Sequence, residues 1–193
     1  MMAKLSYQVA ENLIQANIIN KTDKEVYEYG ISIIFTYAIN LVTILAIGVV
    51  KGQLWECLLF LLVFIPLRSY AGGYHATSEM RCYFLSVGSI VLALSVLHNI
   101  PVWFNFDISL LWLAASCVVI CILAPVENKN KPLDSDEKKI YRRRARSVML
   151  TEFAAGLVCY FFSWDTAFRV IVLGMTSVGC SLVAGVSANR LAR

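Results

Sequence analysis

The chain of 193 residues has the length of a single domain, and 59% hydrophobic residues with a mean hydropathy of +0.67 exclude an ordinary water-soluble core. The 17 Lys and Arg against 13 Asp and Glu leave a formal charge of only +4, unevenly spread: long stretches carry no charge and one segment is densely basic. Partners must therefore be read segment by segment, with lipid as the first expectation and no nucleic acid.

Residues 1–30 lack a charged start leading directly into an apolar stretch with a small-residue cleavage site, so no removable signal peptide is expected. Leu5, Val9, Leu13, Ile14 and Ile18 recur at helical spacing, with Lys4, Glu11, Asn12 and Asn17 between them. Such an amphipathic helix either lies on a membrane surface or packs on the protein itself, and both readings stay open.

A spanning helix needs about 20 predominantly apolar residues. Candidate runs are 31–50, 54–67, 83–100, 108–125, 148–162 and 170–188, of which the second and fifth are short. The second holds Glu56 and is followed by Arg68, which suits a tilted or re-entrant helix lining a polar cavity. The fold class expected is all-α: a polytopic membrane protein of about six transmembrane or re-entrant helices plus the N-terminal amphipathic helix, forming one integral domain over residues 1–193. Six spans put both termini on one side. Lys4, Lys21, Lys24, Arg68, Arg81, the basic residues between Pro125 and Val148, Arg190 and Arg193 then share that side, against Lys51 and Arg169 on the other. The positive-inside rule makes the richer face cytoplasmic.

Two polar segments face the same side. The first, residues 68–82, runs Arg-Ser-Tyr-Ala-Gly-Gly-Tyr-His-Ala-Thr-Ser-Glu-Met-Arg-Cys. Gly72 and Gly73 permit a sharp turn or close backbone approach to a ligand, which a plain linker does not require. His75 follows, and then Cys82, the only one of six cysteines outside an apolar run. The other five, at 57, 117, 121, 159 and 180, read as small hydrophobes, and no disulfide framework is expected.

A thiol becomes a competent nucleophile beside an imidazole or at a helix N-terminus, and this segment offers both. Thr77 or Ser78 is a suitable N-cap for a helix starting near Glu79, with Cys82 in or just past its first turn. Arg68 and Arg81 add positive potential that favours a thiolate or binds a peptide carboxylate. On one straight helix His75 and Cys82 would stand about 10 Å apart at their Cα atoms, so residues 72–77 are expected to break into a turn. A His and a Cys seven residues apart also occur by chance. As metal ligands, His75, Glu79 and Cys82 lack a fourth partner, since His98 falls at the opposite face, and no H-E-x-x-H motif occurs. Neither metal nor cofactor is expected.

The second polar segment, residues 126–147, opens as a proline-bracketed stretch holding Lys129 and Lys131 before Pro132. From Asp134 onward acidic residues lead and basic ones follow, the polarity that suits a helix dipole. The cluster at Arg142 to Arg146 is expected at anionic headgroups, whereas Lys129 and Lys131 are also placed to recognise a peptide.

The Arg68 to Cys82 segment with its Gly-Gly-x-His and following Cys, together with Pro125-Val-Glu-Asn-Lys-Asn-Lys-Pro132, the chain length and the order of spans, resembles the accessory gene regulator B family of Gram-positive peptide quorum sensing. The resemblance implies a membrane endopeptidase acting on a small AgrD-like propeptide at the cytoplasmic face. Its catalytic pair would be His75 and Cys82, supported by Arg68, Gly72 and Gly73, with Lys129, Lys131 and Pro132 in the basic loop. It further implies that the cysteine holds the peptide as a thioester, from which a peptide cysteine or serine closes a thiolactone or lactone ring, and that the protein is a homodimer. A third group to orient His75 is not specified; Glu79, Ser78 and Asn40 are candidates. The competing reading is a peptide exporter or membrane scaffold without chemistry, although no nucleotide-binding P-loop is present to drive export.

Overall fold

Backbone amides in lipid must be satisfied within the segment itself. The computed structural model, which describes residues 2–74, 79–99, 106–127 and 133–191, meets this demand with α-helices and contains no named strand among the described residues. Helix α1 spans Met2–Gln15, and a short 3-10 turn at Lys21–Asp23 leads into α2, Lys24–Val50. The two pack together: the Lys24 ammonium pairs with Glu11 and lies 3.9 Å over the ring of Tyr7, while Ser6 and Ala10 are buried. The amphipathic N-terminal helix thus makes its contact with the protein itself.

Helix α3, Leu54–Ala71, is longer than its apolar run suggests, because it continues through Pro66 and past Arg68. Its 18 residues reach about 27 Å, enough for a crossing. Helices α4, Glu79–Asn99, and α5, Phe106–Leu123, follow. Helix α6, Ser135–Phe161, joins a charged half to an apolar half without interruption, so most of the basic loop expected over 126–147 is helical. A capping box starts it: the Asp134 carboxylate accepts from the amides of Asp136 (2.9 Å) and Glu137 (2.8 Å), and Glu137 accepts from the Asp134 amide. Helix α7 spans Asp165–Leu191. By length and composition α2, α3, α4 and α7 can each cross a membrane; the apolar stretch Asp107–Leu123 of α5 is shorter.

Helix α7 is the hub, packed on α3, α5 and α6. Its Phe168, Met175, Val178 and Leu182 are fully buried against Leu67, Leu113 and Ile120. A second cluster, built from Ile44, Cys57, Phe60, Ile90, Leu94 and Val170, holds α2 and α4 against α3. Outward-facing Ile34, Val42, Leu62, Leu92, Leu111 and Ile122 remain exposed, the surface expected of a bundle solvated by lipid tails. Chain alternation gathers the C-terminal ends of α3, α5 and α7 with the N-terminal ends of α4 and α6 at one end of the bundle. At the other end stand Tyr160, Phe161, Phe162 and Trp164, with the Tyr160 hydroxyl donating to Asp107 at 2.8 Å.

Candidate functional site

Helix α3 stops because its next residue is in a conformation only glycine adopts freely: Gly72 has φ +73° and Gly73 has φ +122°. The turn they form is stitched to its neighbours through the main chain. Val126, just past α5, donates to the Ala71 carbonyl at 2.9 Å, and Gly72 bridges to Val126 in parallel. The Gly73 amide donates to the Val126 carbonyl, and the Tyr74 amide donates to the Ser181 carbonyl of α7 at 2.9 Å. On α7, Asn189 donates to the Glu127 carbonyl at 2.8 Å, and Glu127 pairs with Lys138 of α6. The turn before His75 is therefore tied directly to the segment after α5 and to α7, and through Glu127 that segment is tied in turn to α6 and α7.

Arg68 completes this strap from within α3. Its guanidinium donates to the carbonyls of Gly72 and Tyr74, the fork geometry that a lysine lacks. The same guanidinium is electrostatically coupled to Cys82 and to Tyr37 of α2. Cys82 is the fourth residue of α4, close to the N-terminal end of that helix, and it is partly exposed. The adjacent Tyr83 hydroxyl donates to Thr43 of α2 at 3.1 Å, which fixes the first turns of α4 against α2.

Residues 70–84 do not form one helix: α3 ends at Ala71, residues 72–74 are extended or bent, and α4 begins at Glu79. Arg68, Gly72, Gly73 and Cys82 thus gather at one end of the bundle. Arg81 is exposed on the first turn of α4. His75, Thr77, Ser78, Lys129, Lys131, Pro132 and the Glu79 side chain lie outside the described residues. Asn40 sits on α2 with its carboxamide oxygen buried and without a hydrogen-bond partner among the described residues. Cys57 is buried and donates to the Ile44 carbonyl, a packing role, and the other four cysteines outside the site are likewise free thiols within helices. Among the described residues no three His, Cys, Asp or Glu side chains cluster as metal ligands.

Sequence reading missed Val126, Ser181, Gly185 and Asn189, the residues that hold the strap. The available signal was Ser181-x-x-x-Gly185, a spacing of small residues that lets another backbone approach a membrane helix.

A sequence model of the family described as accessory gene regulator B matches residues 6–183. AgrB-like protein 2 of Clostridium perfringens strain 13 is 25% identical over 182 residues, covering 89% of this chain and 85% of its own. An AgrB-like protein of Listeria innocua is 31% identical over 154 residues, covering 78% of this chain and 74% of its own. No solved structure matches the chain. With nearly its whole length matched and the Arg68, Gly72, Gly73 and Cys82 motif residues assembled at one end of the bundle, the chain belongs to the accessory gene regulator B family.

Proposed function

We propose that this protein is a cysteine endopeptidase that cuts a small quorum-sensing propeptide at the cytoplasmic face of the bacterial membrane and retains the fragment for ring closure. Membership in a family involved in quorum-sensing propeptide processing supports the substrate class. The observation that carries the chemistry is Cys82 in the first turn of α4, partly exposed and coupled to Arg68, which also clamps the turn leading directly into His75.

In this reading His75 removes the thiol proton and the Cys82 thiolate attacks the scissile carbonyl. Amides at the start of α4 stabilise the oxyanion. His75 returns the proton to the departing amine, leaving an acyl thioester on Cys82. A thiol or hydroxyl of the retained peptide then attacks that thioester, gives up its proton through His75 to the leaving Cys82 sulfur, and closes a thiolactone or lactone. Because a thioester is hydrolysed readily, a site at the membrane boundary that limits water protects the intermediate. Lys129, Lys131 and Pro132 recognise the propeptide, and the protein works as a multi-pass homodimer with both termini in the cytoplasm, the side that collects most of its Lys and Arg.

The test is covalent. Propeptide incubated with the reconstituted protein and quenched in acid is expected to add its fragment mass, less water, to Cys82 by mass spectrometry. Propeptide that binds and crosses the membrane uncut, with Cys82 never acylated, would instead assign the chain to export.

A further inference from the structure

A groove of about 480 Å³ opens between α3 and α6, lined by Tyr70, Ile140, Arg143, Arg144, Ser147 and Val148. None of these side chains is acidic. Arg144 is held over the Tyr70 ring at 5.6 Å, and Tyr70 meets Tyr141 edge-on at 6.2 Å, so the aromatic wall orients one of the two guanidiniums. We propose that this groove is a discrete binding site for the headgroup of one anionic phospholipid, with Arg143, Arg144 and the Ser147 hydroxyl on its phosphate.

Both walls reach the groove at the level where apolar sequence gives way to charge. On α6 that boundary falls between Arg146 and Val148, and on α3 it falls at Arg68, two residues before Tyr70. This is the depth at which a bilayer places its phosphates, and basic pockets between membrane helices at that depth suit anionic headgroups. Ile140 and Val148 give the groove an apolar edge. It continues on the same helix into Leu150, Val158 and Phe161, all exposed, where acyl chains would lie. An acidic peptide segment would match the charge but has no use for that edge.

The neighbouring Arg142 and Arg146 separate a site from a diffuse basic surface. Neither lines the groove, and Arg146 instead donates to the Cys121 carbonyl at 3.4 Å. Diffuse attraction would weight all four arginines alike.

Native mass spectrometry of the purified full-length protein with added phosphatidylglycerol or phosphatidylcholine tests the site without reference to peptide cleavage. The wild type is expected to retain one phosphatidylglycerol per chain in preference to phosphatidylcholine. R143Q and R144Q should each weaken retention roughly fivefold, and R142Q should leave it unchanged. An Arg143→Lys, Arg144→Lys double variant keeps the charge and the fold, and intermediate retention is expected because the forked contacts are lost. Equal losses in R142Q and R143Q, or no preference between the two lipids, would overturn the site. So would displacement of the lipid by a hexaglutamate peptide at equimolar concentration, which would reassign the groove to peptide.

Discussion

A Cβ placed on Gly185 would stand 2.8 Å from the carbonyl carbon of Gly73, so α7 and the turn that follows α3 touch backbone to backbone. The helix that forms the hub of the core also sets where the candidate catalytic turn lies. Core packing and site geometry are therefore one structure in this protein.

Gly185→Ala is expected to push the turn away from α7. Overpacking of this kind costs about 1–3 kcal/mol, and here it falls on rigid backbone atoms. Propeptide cleavage should drop about tenfold or more while membrane insertion is retained. Gly179→Ala on the same helix is the control, since its new methyl would meet Val119 at an ordinary 3.7 Å. Cleavage rates of the two variants side by side check the claim; equal rates would sink it.

Arg68→Lys preserves charge but cannot serve the Gly72 and Tyr74 carbonyls with one planar fork. We expect cleavage to fall about tenfold or more, with faster hydrogen exchange at the Gly73 and Tyr74 amides. Arg68→Gln, which also removes the charge coupled to Cys82, should lose more. Full activity in the lysine variant would mean that Arg68 acts through charge alone.

Cys82→Ala and His75→Ala should each abolish cleavage without preventing membrane insertion, because a nucleophile and its base act as a unit. The other five cysteines sit in helices as packing residues or free thiols, so a variant retaining only Cys82 should still cut. An inactive single-cysteine variant with normal helicity would count against Cys82 as nucleophile.

Lys129→Gln and Lys131→Gln are expected to raise KM severalfold with a smaller effect on kcat. Arg142→Gln, on the exposed face of α6, should leave both near the wild-type values. Steady-state kinetics in proteoliposomes separates the two, and unchanged KM in the lysine variants would assign that stretch to anchoring only.

The helical, membrane-type fold was legible in the sequence because lipid leaves little choice: long apolar runs must close their own hydrogen bonds, and each of the six runs falls largely on a different one of α2 to α7. Residues 68–82 were legible for a different reason. Two adjacent glycines, a histidine and the one polar-segment cysteine are chemically conspicuous against apolar surroundings, and the spacing of His75 and Cys82 already required a broken helix. Boundaries were less visible. Arg68 looked like the end of a short run, yet α3 carries it inside the helix, because its guanidinium is satisfied by carbonyls three-dimensionally close but beyond the helix terminus. Only the tertiary structure could reveal what Val126, Ser181, Gly185 and Asn189 hold, since the partners lie far away in sequence and, apart from the small-residue spacing of Ser181 and Gly185, leave almost no mark on residue type. The same holds for the groove beneath Tyr70. Its aromatic wall and its arginines are some 70 residues apart in sequence, and only the packing of α6 on α3 brings them together.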